Sequence, residues 1–430
     1  MTIQSLSIIE GVDGEDKPMH IAHFTNTYHP VISGVVRSID TFRQALTDLG
    51  HNVFIFAQNA SDYRDKEPFV FRYPAIELPM GHHFPLAIPI SSFVDKVFPS
   101  LKPAVIHSHH PFLLGRAAAN KAEEYKIPLV FTFHTRYREY SHYVALNQQF
   151  VKDAIDYWLG DYMQKCHHIV VPSDSIKQML ADVYGVTKQV TTVPTGIDLQ
   201  PYQAADPQVM RQRRGWGEDK VLISIGRLAE EKNWKVLLVA AGKAFKQHPQ
   251  ARLVIIGDGE QKHDLSELAQ ELGIAERVEF TGKAPFNEIP LYLKAADLFC
   301  FASTTETQGL VTMEALAAGL PVVAVQASGT QDVIEHDQQG LLTENNSEAL
   351  AAAISRVLDD EGLFNRFKDA TADRAAEFDM KRKAEDLIEV YRQAIEDQRA
   401  GRFVQVDKAK KIFELIVDEQ KLEQFFGLKA

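Results

Sequence analysis

DLFCFASTTETQGLVTMEALAAGLPVVA, residues 297–324, decides how the chain folds. DLFCFAS (297–303) is an apolar run of strand length, and PVVAVQ (321–326) is another. Between them Gly309 allows the loop to turn, and a helix is expected from about Leu310 to Ala318. Gly319 stands where a helix C-cap favours a left-handed residue, and Pro321 prevents continuation. Strand, loop, helix, turn and strand in that order make one unit of a parallel sheet. The backbone N–H groups around residues 309–311 then open a helix N-terminus, a ready place for phosphate or a sugar hydroxyl.

The same phrase recurs. VLISIG (221–226) is followed by a loop, a helix from about Asn233 to Lys246, and ARLVIIG (251–257). HIAHF (20–24) precedes a loop with Pro30 and Gly34, then a helix from Val35 to Leu49, the stop Gly50, and NVFIFA (52–57). Further strands are expected in AVIHSH (104–109), LVFTFH (129–134), HIVVPS (168–173), VTTVPT (190–195) and VEFTG (278–282). Continuous apolar strands alternating with helices imply sheets covered on both faces. The polar stretch 197–219, with two prolines and a Gly-Trp-Gly turn, reads as a break between two such sheets.

The expected fold class is therefore α/β, two Rossmann-like doubly wound parallel-sheet domains facing a central cleft. The expected divisions are an acidic extension at 1–18, a first domain at 19–205, and a second domain at 206–380. A helix at 381–398 packing across the domains and a helical appendage at 399–430 follow. Ligands of such sheets sit beyond the carboxyl ends of the strands.

Totals narrow the function. The 430 residues exceed one compact core, and 45% hydrophobic with 24% charged residues describes a globular protein. A net charge of −12 lacks the basic footprint of a nucleic-acid binder. Cys166 and Cys300 match no metal spacing and read as unrelated buried thiols of a reducing compartment. MTIQSLSIIEGVDGEDKP (1–18) lacks the basic-then-apolar layout of a signal peptide. The charge-free runs are shorter than a bilayer span, except the one after Glu314, which Gly319 and Pro321 interrupt. The expected location is the cytoplasm, with peripheral contact at the inner face of the membrane.

Polar residues cluster at the strand ends of the second half. Arg227 and Lys232 in GRLAEEKN follow VLISIG and suit a diphosphate, or are simply solvated cations at a helix start. Gly257 and Gly259 in IIGDGE offer close backbone approach without completing a dinucleotide fingerprint. Glu306 and Glu314, eight positions apart, invite comparison with the carboxylate pair of a glycosidase. A retaining pair stands about 5–5.5 Å apart across the scissile bond. Here a phosphate-ready helix start lies between the two glutamates, which favours two ends of one clamp. In HSHH (107–110), His107 and His109 share a strand face, but no third metal ligand is evident.

The combination E-x7-E, GRL-x3-K, IIGDG and PTGID (194–198) resembles family 4 of the retaining glycosyltransferases, over roughly residues 19 to 395. That resemblance implies the two-domain B-type glycosyltransferase fold and a nucleotide-sugar donor. Glu314 would hold the ribose, and Arg227 and Lys232 the diphosphate. Glu306 and the amides of Gln308, Gly309 and Leu310 would hold the sugar. FTNTYHPVISGVVRS (24–38) resembles the family's glycine loop, with Gly34 at its key position and Arg37 either at phosphate or on the domain surface. His134 matches the histidine beside the transferred sugar. With Gly257 on the donor side, the implied catalytic set is His134, Glu306, Arg227 and Lys232. No Asp-x-Asp triplet is present, so the expected chemistry is metal-independent and without a cofactor.

HTRYREYSHY (134–143) resembles the matching stretch of bacterial diacylglycerol glucosyltransferases, which implies acceptor-side roles for Tyr137, Tyr140, His142 and Tyr143. The other reading of these aromatics is packing into the domain. FPLAIPISSFVDKVF (84–98) is either a lipid-facing edge or a loop with a core helix. Unlike that subgroup, the chain has no strongly basic helix in its first half. The tail helix at 408–426 has an apolar face that would dock on the body, meet a partner or touch lipid. The implied reaction is hexose transfer from UDP-glucose to 1,2-diacylglycerol. The alternatives are a soluble sugar or polysaccharide acceptor, and a non-catalytic nucleotide-sugar-binding regulator.

Overall fold

The computed structural model describes residues 17–60, 63–77, 85–138 and 148–406. The tail helix at 408–426 and all but the last two residues of the acidic extension lie outside them. Among the described residues the first half holds nine strands: β1 (His20–Thr25), β2 (Asn52–Gln58), β3 (Val70–Tyr73), β4 (Ala75–Glu77), β5 (Pro85–Ala87), β6 (Val105–Ser108), β7 (Leu129–Thr132), β8 (His168–Val171) and β9 (Val190–Thr192). Seven form one parallel sheet in the order β3-β2-β1-β6-β7-β8-β9, and β4 and β5 form a small antiparallel ladder. The second half holds β10 (Lys220–Ile225), β11 (Ala251–Ile256), β12 (Val278–Gly282), β13 (Leu298–Phe301), β14 (Val322–Val325) and β15 (Gly340–Thr343). Their sheet runs β12-β11-β10-β13-β14-β15, all parallel. Each sheet reverses its order beside its first strand, at β1/β6 and at β10/β13. The crevices at those switch points are where such sheets bind ligands.

Apolar runs become buried central strands as their composition dictates. β6, β7, β8, β13 and β14 are buried at every residue. The opening stretch folds as its spacing predicts, with β13, a helix Leu310–Ala317 and β14. Gly309 and Gly319 both take left-handed backbone angles, φ +77° and +80°. Cys166 and Cys300 are buried and unpaired.

The polar stretch 197–219 lies between β9 of the first sheet and β10 of the second. It holds two short helices, Gln200–Ala204 and Pro207–Arg214. Asp206 caps the second, Gly215 ends it in the left-handed region, and Tyr202, Met210 and Trp216 are buried in the second core. One apolar anchor per turn is enough to seat a polar helix.

The chain crosses between the sheets twice, and the crossings are bonded to each other. Ile197 N–H donates to Phe378 O (2.7 Å) and Met380 N–H donates to Ile197 O (3.0 Å). A Cβ on Gly196 would lie 2.3 Å from Met380 Cα. Beyond this point the helix Met380–Arg399 returns to the first sheet. Ala384, Leu387, Ile388, Tyr391 and Ala394 pack there with Ile21, Ile39 and Val130.

One glycine pair tests how the site loops are built. Gly257 has φ +148°, and a Cβ there would meet Gly226 O at 1.8 Å; Gly282 has φ +72° and open space. Gly257→Ala is expected to lower unfolding free energy by about 3 kcal/mol or more, since backbone must move. Gly282→Ala is expected to lower it by only about 1 kcal/mol, the cost of a left-handed alanine. Equal midpoints in urea melts of the two variants would contradict the collision.

Candidate active site

The site assembles where loops after β1, β7, β10 and β13 meet. Glu306 lies in the loop between β13 and the helix Leu310–Ala317. Its Oε1 accepts from Lys232 Nζ (2.5 Å) and from Ser303 Oγ (2.7 Å). Burial raises the Glu306 pKa, but the Lys232 charge and the two hydrogen bonds outweigh it and leave the carboxyl below its ordinary range. Lys232 is aimed by its neighbour: Asn233, with φ +58°, donates from Nδ2 to Ala302 O (3.0 Å). Arg227 is half-exposed and pairs with Glu231, four residues on.

Glu314 is 1% exposed on the second turn of the same helix. It accepts from Tyr202 Oη (2.7 Å) and, across the cleft, from Arg37 of the helix Gly34–Asp48. Burial and the Glu314 charge push the Tyr202 phenol up, so it stays a donor. Arg37 also covers the ring of Phe286. Here Arg37 is on a carboxylate, which neither sequence alternative foresaw. Tyr202 and Ser303 were also missed, because nothing in local spacing joins them to Glu314 or Glu306.

The helix start between the glutamates has no side-chain cap, because Gly309 has no side chain to offer. A Cβ on Gly34 would lie 3.7 Å from Leu310 Cδ1, so the glycine loop faces that helix start directly. The Gln308 side chain points elsewhere: it accepts from Thr195 N (2.9 Å) and donates to Thr195 O (2.8 Å), tying this loop to the interdomain crossing. Gly257 owes its glycine to Gly226 packing, described above.

His134 reaches the same place from the first sheet. Its carbonyl accepts from Thr307 Oγ1 (3.1 Å), next to Glu306, and Arg136 donates to Ser328 Oγ (3.0 Å). Tyr137 packs edge-on against Phe112 and Phe133, and its hydroxyl is buried with no partner among the described residues. At this position the packing reading describes the structure. Tyr140, His142 and Tyr143 lie outside the described residues. In the segment 84–98, Val94 and Phe98 are buried while Ile90 and Phe93 are exposed, so it presents both a core face and an apolar outer face. No helix among the described residues is long and apolar enough to cross a membrane.

Histidines His107 and His109 have a third neighbour that spacing could not reveal. His23, on β1, lies beside them, and all three are buried.

Two Rossmann-like sheets with a cationic and carboxylate-lined cleft at their switch points form the architecture of a two-domain, ligand-binding α/β protein. Residues 32–201 match the model described as Glycosyltransferase Family 4, and residues 207–374 that described as Glycosyl transferases group 1. Alpha-monoglucosyldiacylglycerol synthase of Streptococcus pneumoniae is 34% identical over 71% of this chain and 71% of its own. The enzyme of the same name from Acholeplasma laidlawii is 33% identical over 77% and 86%. The chain belongs to glycosyltransferase family 4, and it is a glycosyltransferase of the two-domain B-type fold. The fold is shared with sucrose-phosphate synthase of Thermosynechococcus elongatus (TM-score 0.71, 21% identity, 87% and 98% coverage). It is shared also with HepE of Anabaena in complex with UDP (TM-score 0.70, 20% identity, 86% and 99% coverage).

Proposed function

We propose that the protein is a retaining transferase that moves glucose from UDP-glucose to the free hydroxyl of 1,2-diacylglycerol without a metal. The observation that carries the donor side is the pair of carboxylates, Glu306 in the loop before a helix without a side-chain cap and Glu314 on its second turn, with Lys232 on the first. Glu306 takes the sugar and Glu314 the ribose. Lys232, Arg227 and the amides of Gly309 and Leu310 stabilise the departing diphosphate, whose charge grows as the glycosidic bond breaks. The acceptor hydroxyl attacks from the same face and passes its proton to the departing phosphate oxygen. No protein nucleophile is needed. Closure of the two domains excludes water and favours transfer over hydrolysis.

The acceptor is supported by the two related synthases, each a third identical over more than 70% of both chains. Exposed Ile32, Ile90 and Phe93 on the first domain are of the kind that rests on lipid. Peripheral contact with the inner membrane face follows from this reading. With radiolabelled UDP-glucose and vesicles containing diacylglycerol, label is expected in the chloroform-soluble product with the α-anomeric linkage. Label confined to water-soluble product would instead indicate a sugar or polysaccharide acceptor. A binding screen of UDP-, GDP- and ADP-glucose is expected to rank UDP first.

A further inference from the structure

The buried histidines form one continuous chain of hydrogen bonds that ends at the active site. Thr132 Oγ1 lies 2.6 Å from His107 Nε2, and His107 Nδ1 lies 2.7 Å from the Tyr391 hydroxyl. That hydroxyl lies 3.3 Å from His23 Nε2. His23 Nδ1 is 2.9 Å from His109 Nε2, and His109 Nδ1 is 2.9 Å from His134 Nε2. Each ring spends both nitrogens within the chain except His134, whose Nδ1 takes no part in it.

Burial is the main reason that all four imidazoles are hard to protonate, with His23 and His134 each pushed down to about 3. At neutral pH each ring therefore carries one N–H and one bare nitrogen. Two ring nitrogens cannot both donate into one link, and the buried Tyr391 hydroxyl must itself find an acceptor in His107 or His23, so choosing the proton at any position fixes the rest. The chain has two self-consistent directions. Its buried end selects between them. The Thr132 hydroxyl is buried, and His107 Nε2 is its partner among the described residues. A buried O–H without an acceptor is costly, so Thr132 donates to Nε2. His107 then donates from Nδ1 to Tyr391, and Tyr391 donates to His23 Nε2. His23 donates from Nδ1 to His109, and His109 from Nδ1 to His134 Nε2. His134 must then carry its proton on Nδ1.

We propose that Thr132, His107, Tyr391, His23 and His109 are positioning residues that hold His134 as the Nδ1–H tautomer, so that it presents a hydrogen-bond donor to the bound sugar. The array stands on its own geometry, and its catalytic meaning rests on the transferase reading above. Tyr391 makes the arrangement unusual in its connectivity. It belongs to the helix Met380–Arg399, so the orientation of a site residue on the first sheet depends on a segment that enters only after the second domain is complete.

The test is the tautomeric state itself, read by long-range proton–nitrogen correlation spectra of 15N-histidine-labelled full-length protein. His23, His107, His109 and His134 are expected as Nδ1–H, the form less common in water. His134 found as Nε2–H in the unmodified protein overturns the proposal. Tyr391→Phe removes the donor to His23 Nε2 while keeping the ring. In that variant His134 is expected to shift towards a mixture of tautomers. With UDP-glucose and diacylglycerol, kcat is expected to fall roughly tenfold at unchanged donor KM, about the effect of one site hydrogen bond. A Tyr391→Phe protein that only melts earlier, with His134 still purely Nδ1–H, assigns the array a structural role and overturns the proposal. So does one equivalent of tightly held zinc on His23, His107 and His109 in the purified protein, since metal would occupy the nitrogens the chain needs. The spectra require no substrate, so failure of the donor or acceptor assignment is told apart from failure of the array.

Discussion

Glu306→Gln is expected to lower kcat by about a thousandfold while UDP affinity changes less than about threefold. The magnitude follows from removing a preorganised charge at the reacting centre, a loss of roughly 3–4 kcal/mol of transition-state stabilisation. Glutamine keeps the shape and can still accept from Lys232 and Ser303, so the site should remain assembled. Steady-state kinetics with a calorimetric UDP titration separates the two quantities. A kcat within tenfold of the unmodified enzyme would remove Glu306 from the chemistry. The variant also carries a pH signature. The Glu306 carboxyl lies below its ordinary range in the folded protein, so it adds stability that is full above that range and lost as pH falls through the folded value. Glu306→Gln lacks this titration, and its stability should depend less on pH below about pH 5.

Glu314→Ala is expected to weaken UDP binding by about a hundredfold, from the loss of a carboxylate acceptor for the ribose hydroxyls. It is also expected to lower unfolding free energy by about 3 kcal/mol. Glu314 is almost wholly buried, and the change leaves the Arg37 guanidinium and the Tyr202 hydroxyl without their acceptor. The two effects are separable. Titrations run well below the melting temperature report the binding loss alone, and circular dichroism shows whether the protein is folded there. Unaltered UDP affinity in a folded Glu314→Ala protein would leave Glu314 a structural residue that joins the two domains through Arg37.

Local patterns carried most of the fold. The strands that cross the centre of each sheet are unbroken apolar runs, and Gly309 and Gly319 sit at positions whose left-handed backbone would strain a side chain. Of the four sheet edges, β9 and β12 were legible as VTTVPT and VEFTG, and β3 and β15 were not. β3 is VFRY with a polar third residue, and β15 is only four residues and opens on glycine. An edge strand is half-exposed and short, so its composition approaches that of a loop. The site divides in the same way. Glu306, Glu314, Arg227 and Lys232 announce themselves by fixed spacing after strand ends. Tyr202 and His23 do not, because they meet their partners through tertiary packing alone, and for the same reason Arg37 stood out in the glycine loop without its partner. Arg37 and Glu314 are 277 positions apart in the chain. Gln308 shows the converse, a motif residue whose side chain serves the interdomain crossing.

The doubled crossing at Ile197 and Phe378–Met380 determines what kind of movement the enzyme has available. A single covalent strand between two bodies works as a ball joint, free to swing and spin. Two strands bonded side by side work as a door hinge, with one axis and little twist. Because the helix Met380–Arg399 is anchored beyond that hinge, it travels with the first domain, and Tyr391 keeps its place among the histidines as the door swings. On the proposed reading, the cleft could then open to exchange nucleotide and acceptor without disturbing the His134 ring.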